Sequence, residues 1–115
     1  IASLLAGLAF SITRTTACHS ISYPLTMFFG VEHGFAAATT LYAVAERNEA
    51  VVPEILQIYT VFGGKNGFKK WLDDVTSDFG ALRLSFFGIS NADLDLIIEK
   101  TFTQGRMDNN PAMLS

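Results

Sequence analysis

The chain has 115 residues, half of them hydrophobic and 17% charged, with a formal net charge of −3 and a pI near 5.2. That length supports one domain at most, and the acidic balance excludes a nucleic-acid partner, which needs a basic stripe. The single cysteine, Cys18, makes no internal disulfide, so a reducing, cytoplasmic setting is expected.

The first element is an apolar run, Ile1 to Ile12, ending in the polar Thr13 to Thr16. No basic residue precedes it, as one would in a signal peptide. It is also shorter than the roughly 20 residues that span a bilayer. It reads as a buried helix, with Ala2, Ala6, Gly7 and Ala9 small enough for close helix approach. An apolar helix entering in this way implies that the chain is a piece of a longer protein, built to pack on something larger or to form a homo-oligomer. No helix pairs a strong apolar face with a basic one, so a membrane surface is not an expected partner.

Cys18 to Phe29 is the next unit. Pro24 has no N–H and disfavours helix in the residue before it, so a kink near Tyr23 is predicted. Gly30 ends the unit as a C-cap. Val31 to Gly34 reads as a connector, and the alanine-rich Phe35 to Arg47 as a long helix closed by Asn48. Glu49 to Phe62 is a further helix with Pro53 in its first turn, stopped by Gly63-Gly64. Asn66 is the expected cap of a helix over Gly67 to Phe79. Its apolar stripe is Phe68, Trp71, Leu72, Val75 and Phe79, and its wet side is Lys69, Lys70, Asp73 and Asp74. Gly80 to Gly88 is a loop with an apolar tip. Ser90 or Asn91 caps a last helix through Phe102, with Leu94, Ile97, Ile98 and Phe102 inward. Pro111 is placed to start one more helical turn. The predicted fold is all-α: a single helical domain, residues 1–115, of about six helices with no sustained period-two alternation.

The only two histidines, His19 and His33, lie in one small-residue and apolar stretch, Thr15 to Asn48. Neutral imidazoles near helix ends suit Zn²⁺ or Fe²⁺. A pair fourteen residues apart is not a zinc signature, however, and on spacing alone these read as ordinary core or boundary histidines. No third ligand is evident: Glu32 points elsewhere, and Cys18 reads as a small buried hydrophobe. The Gly63-Gly64 pair lacks the spacing of a dinucleotide fingerprint.

The stretch ASLLAGLAFSITRTTACHSISYPLTMFFGVEHGFAAATTLYAVAERN resembles the helical C-terminal domain of iron-containing (group III) alcohol dehydrogenases. That family shows a pattern like H-x-x-x-H-x-L-x-x-x-x-x-x-x-H-G, met here by His19, Tyr23, Leu25, His33 and Gly34. Asn109-Asn110-Pro111 is similar to its closing Asn-Pro motif. The resemblance implies that His19 and His33 are two of four ligands to Fe²⁺ (or Zn²⁺). The other two, an Asp and a His, and the NAD(P)-binding N-terminal domain would lie upstream of Ile1. The implied activity is hydride transfer between NAD(P) and a small alcohol or aldehyde. Tyr23 stands where many members carry a third histidine near the substrate. It is either a proton-handling catalytic residue or a wall of the pocket. Its ordinary pKa near 10 makes it the poorer base.

Arg14-Thr15-Thr16, the Ser22 to Thr26 run and Arg106 with the Asn-Asn-Pro tail look similar to the phosphonoacetaldehyde-reductase branch. Arg14 and Arg106 are then substrate-binding candidates, because guanidinium and hydroxyl groups suit a phosphonate. The alternative leaves both as surface or structural arginines. The alternative for the whole chain is a non-catalytic packing or dimerisation module with an incomplete metal site. In either case the isolated chain is expected to be inactive.

Overall fold

The computed structural model describes every residue except Phe79, Thr103 and Ser115. Among the described residues there are six α-helices and no strand: α1 (Ala2–Ile12), α2 (Ala17–Phe29), α3 (His33–Asn48), α4 (Glu54–Val61), α5 (Lys65–Thr76) and α6 (Leu94–Thr101). Short 3₁₀ turns at Leu84–Phe87, Asn91–Asp93 and Met107–Asn109 join or follow them. The all-α expectation holds. The predicted helical turn at Pro111 is absent; the 3₁₀ turn comes before it.

The centre of the molecule is α2, which packs most closely on α3 and on α6. Leu25, Val31, Ala36, Ile89 and Ile97 form the main core cluster, with Leu84 and Phe87 of the apolar loop tip against it. A second cluster joins Ala17, Val44 and Met107. A third, around Tyr59, Phe68 and Leu72, ties α4 to α5. Phe68 and Leu72 therefore behave as the stripe predicted, whereas Trp71, Val75, Ile98 and Phe102 remain largely exposed. Phe79 lies outside the described residues. Lys69 and Lys70 pair with Asp73 and Asp74 on the wet side of α5.

Several boundaries differ from expectation. Pro24 sits inside α2 without ending it, and its ring is fully buried. One proline removes one ladder hydrogen bond. Packing of α2 from two sides offsets that loss. Helix α3 begins at His33, so His33 and Gly34 belong to its first turn and not to a connector. Helix α4 is shorter than predicted, because the chain turns at Asn48 to Val52 and Pro53 becomes the N-cap residue. Gly64, not Asn66, caps α5. Ser90 does cap the α6 region, through a capping box in which Asp93 accepts from the Ser90 N–H at 2.8 Å.

Helix α1 is the largest departure. It is helical throughout, yet no residue in it is buried: Leu4, Leu5, Leu8 and Phe10 are all more than half exposed. Local pattern fixes the conformation of such a segment, but burial needs a partner surface, and the described residues bury none of its side chains.

Candidate metal centre

Two helix starts make the site. His19 lies in the first turn of α2, and His33 is the first residue of α3. Gly30 ends α2 in the left-handed region (φ 66°), with its N–H on the Leu25 and Thr26 carbonyls, and so turns the chain back. His19 Nδ1 and His33 Nε2 meet at 3.1 Å, with ring centroids 5.1 Å apart and planes tilted by 39°.

Ser22 orders this pair. It is fully buried, and its Oγ donates to the His19 carbonyl at 2.8 Å while lying 3.3 Å from His33 Nδ1. A hydroxyl has one proton to give. With that proton on the carbonyl, Ser22 accepts from His33. The hydrogen-bond network thus assigns His33 the Nδ1–H tautomer, with the Nε2 lone pair aimed at His19. Burial holds the His19 pKa below its ordinary 6.5, and the nearby His33 and Arg106 push it the same way. Both effects favour the neutral imidazole of His19, the form that binds metals.

The donor set fits a metal in part. Two nitrogens 2.0–2.1 Å from one ion stand roughly 2.9 Å apart at an octahedral angle and about 3.3 Å apart at a tetrahedral one. The observed 3.1 Å lies between. Without an ion, a single proton shared between the two nitrogens satisfies the same geometry. No group of three or more His, Cys, Asp or Glu that could hold a metal occurs among the described residues. Cys18 is no substitute: burial raises its thiol pKa, outweighing hydrogen bonds from Thr40 and its own backbone that act to lower it.

Tyr23 and Arg106 flank the pair. The Tyr23 ring lies 5.9 Å from the His33 ring, and the Arg106 guanidinium carbon 4.5 Å from the centre of the Tyr23 ring. Arg14, just past the end of α1, does not touch the histidines. It lines a groove with Arg106 instead. Four of the five candidate residues thus form one continuous row, and Arg14 adjoins it through Arg106.

Sequence reasoning missed Ser22 as a member of the site. Its position three residues after His19 was a usable signal for a shared helical face, but its approach to His33 was not readable. The clasp between Asn48 and Asn110 was also missed. The two buried amides exchange hydrogen bonds of 3.1 and 2.7 Å, tying the C-terminal strap to the end of α3.

The whole chain, residues 1–115, matches the family described as Fe-containing alcohol dehydrogenase, C-terminal. Over 45 residues it is 44% identical to phosphonoacetaldehyde reductase of Streptomyces viridochromogenes. That stretch is 39% of this chain and 11% of the reductase. No solved structure matches.

Proposed function

This chain belongs to the Fe-containing alcohol dehydrogenase family, and we propose that it forms half of the metal site of a dehydrogenase that interconverts a small alcohol and its aldehyde. The supporting observation is the 3.1 Å meeting of His19 Nδ1 with His33 Nε2. These two imidazoles would hold Fe²⁺ (or Zn²⁺) together with ligands from outside residues 1–115. When bound, the ion supplies Lewis-acid polarisation of the substrate oxygen, and NAD(P) supplies or accepts hydride. The glycines of this chain lack the spacing that cradles a dinucleotide, so NAD(P) is assigned to an N-terminal domain beyond this chain.

The chain's own residues hold and orient. Ser22 keeps the His33 lone pair on the site. The Tyr23 hydroxyl, on a ring beside His33, is the group proposed to hand a proton to or from the substrate oxygen. Arg14 and Arg106 are assigned to the substrate, and the similarity to the Streptomyces phosphonoacetaldehyde reductase makes phosphonoacetaldehyde the candidate substrate. The reading takes the enzyme to be cytoplasmic and homo-oligomeric, with the exposed apolar side of α1 covered in the assembly. Among the described residues no helix is long and apolar enough to cross a membrane. The isolated chain is taken to be inactive.

A second reading, a packing or dimerisation module without catalysis, draws on the lack of a third ligand among the described residues. Metal titration of the chain separates the two. The dehydrogenase reading expects a weak one-to-one Fe²⁺ or Zn²⁺ complex that disappears in both His19→Ala and His33→Ala. Binding of undiminished strength in both variants, or no binding to the parent chain, would overturn it.

A further inference from the structure

We propose that the groove between Arg14 and Arg106 is a binding site for a phosphonate or phosphate dianion, the head group of the substrate. Assigning that anion to the substrate rests on the dehydrogenase reading. The anion site itself does not.

Charge pairing singles out this groove. All four lysines pair with carboxylates: Lys65 with Glu46 and Glu49, Lys69 with Asp73, Lys70 with Asp74 and Lys100 with Glu99. Arg14 and Arg106 form no ion pair among the described residues, and they line one groove of about 420 Å³ with Thr13, Thr15, Gln104 and Gly105. No Asp or Glu lines it. The other arginines differ. Arg83 shares its groove with Asp73, and Arg47 lies in the last turn of α3, where the helix dipole suits a cation. Asp108, two residues past Arg106, lines a separate groove with Met107 and Pro111. Two guanidinium groups in one carboxylate-free groove repel each other, and an anion between them removes that repulsion.

The groove is also preorganised. Arg106 lies against the Tyr23 ring. An aromatic ring attracts a guanidinium without accepting from a fixed N–H, so Arg106 keeps its N–H donors for an anion. Gly105 adopts φ +82°, and a Cβ placed there would stand 3.5 Å from an Arg14 guanidinium nitrogen. The wall is pinned at both sides: Asn109 donates to the Thr15 carbonyl at 3.3 Å, and Asn110 is clasped to Asn48. A tetrahedral dianion offers three oxygens and two negative charges against the two oxygens and one charge of a carboxylate, so it matches two guanidinium groups better. Through Arg106 and Tyr23 the groove adjoins His33, so an anion held here points the rest of a small molecule at the histidine pair.

The test is titration of the full chain with methylphosphonate, methyl phosphate and acetate, followed by ³¹P NMR or calorimetry. Both phosphorus anions are expected to bind, and the tighter one identifies the head group. Acetate should be weaker. Arg14→Gln and Arg106→Gln should each weaken binding about tenfold, the scale of one charge-assisted hydrogen bond. Arg106→Lys should not restore it, because an ammonium lacks the fork. Circular dichroism checks that the variants remain folded. His19→Ala should lose metal and bind the anion unchanged, so loss of the metal reading and loss of the anion site are separately visible. Arginine variants that bind like the parent, or acetate that binds as tightly as methylphosphonate, would overturn the proposal. Displacement of methylphosphonate by NADP⁺ but not by NAD⁺ would overturn its assignment to the substrate.

Discussion

Nδ1 of His19 stands 3.1 Å from Nε2 of His33 although fourteen residues and a helix boundary separate them. The route from His19 to Phe29 along α2 covers roughly 15 Å at 1.5 Å per residue. Residues 30–32 can recover about 10 Å of that if they run back along the helix, and the two imidazoles bridge the remainder. The reversal starts at Gly30, and Val31 buries its side chain in the main core on the way. The histidine pair is thus a product of one turn and one core contact.

Ser22 gives the first prediction. Ser22→Ala removes the acceptor that holds His33 in the Nδ1–H tautomer. Metal affinity should fall about 10- to 100-fold, as when other hydrogen-bond partners of metal-bound histidines are lost. The hydroxyl is small, so the fold should survive. Cobalt titration followed by visible absorption reads the affinity, and an unchanged dissociation constant would remove Ser22 from the site.

The pH dependence of stability gives a second. The native His19 pKa is held down, chiefly by burial, so below about pH 6.5 the unfolded chain binds more protons than the native one. Stability therefore falls as pH drops through that range and is fully regained above it. His19→Gln should flatten this part of the profile. Thermal melts of both proteins between pH 5 and pH 8 check the sign, and parallel profiles would contradict it.

The clasp between Asn48 and Asn110 gives a third. Asn110→Ala leaves the buried Asn48 Nδ2 without its acceptor, although Asn48 Oδ1 still accepts from the Ala112 N–H at 3.1 Å, and it removes the Asn110 donation to the Ala112 carbonyl at 2.7 Å. The expected loss is about 1–3 kcal/mol. The strap carrying Arg106 should loosen as well, so hydrogen exchange should quicken at residues 106–112 beyond the global effect. Uniform exchange rates across the chain would deny the clasp a local role.

Gly30 gives a fourth. Its φ is +66°, and nothing lies within 4 Å of an added Cβ. The cost of Gly30→Ala is therefore conformational alone, about 1–2 kcal/mol, and Gly30→Asn should cost less. Urea unfolding measures both. Because the turn also returns the chain to His19, the alanine variant should weaken metal binding too.

The all-α class, the number of helices, the αL stop at Gly30, the wet side of α5 and the Ser90 cap depend on nearest neighbours along the chain. Propensity, capping and periodicity reveal them in the residues themselves. The resemblance of the His19–Gly34 pattern also directed attention to the two histidines that the fold brings together at 3.1 Å. The remainder depended on partners distant in sequence. Pro24 continues a helix because α3 and α6 pack on α2, which no local rule anticipates. Ser22 joins the site, Arg106 lies over Tyr23, and Asn110 meets Asn48 across 62 positions, because the strap returns over α2 and α3. Helix α1 shows the same division: its sequence is sufficient to make it helical, while its burial requires a surface that only tertiary or quaternary packing can supply.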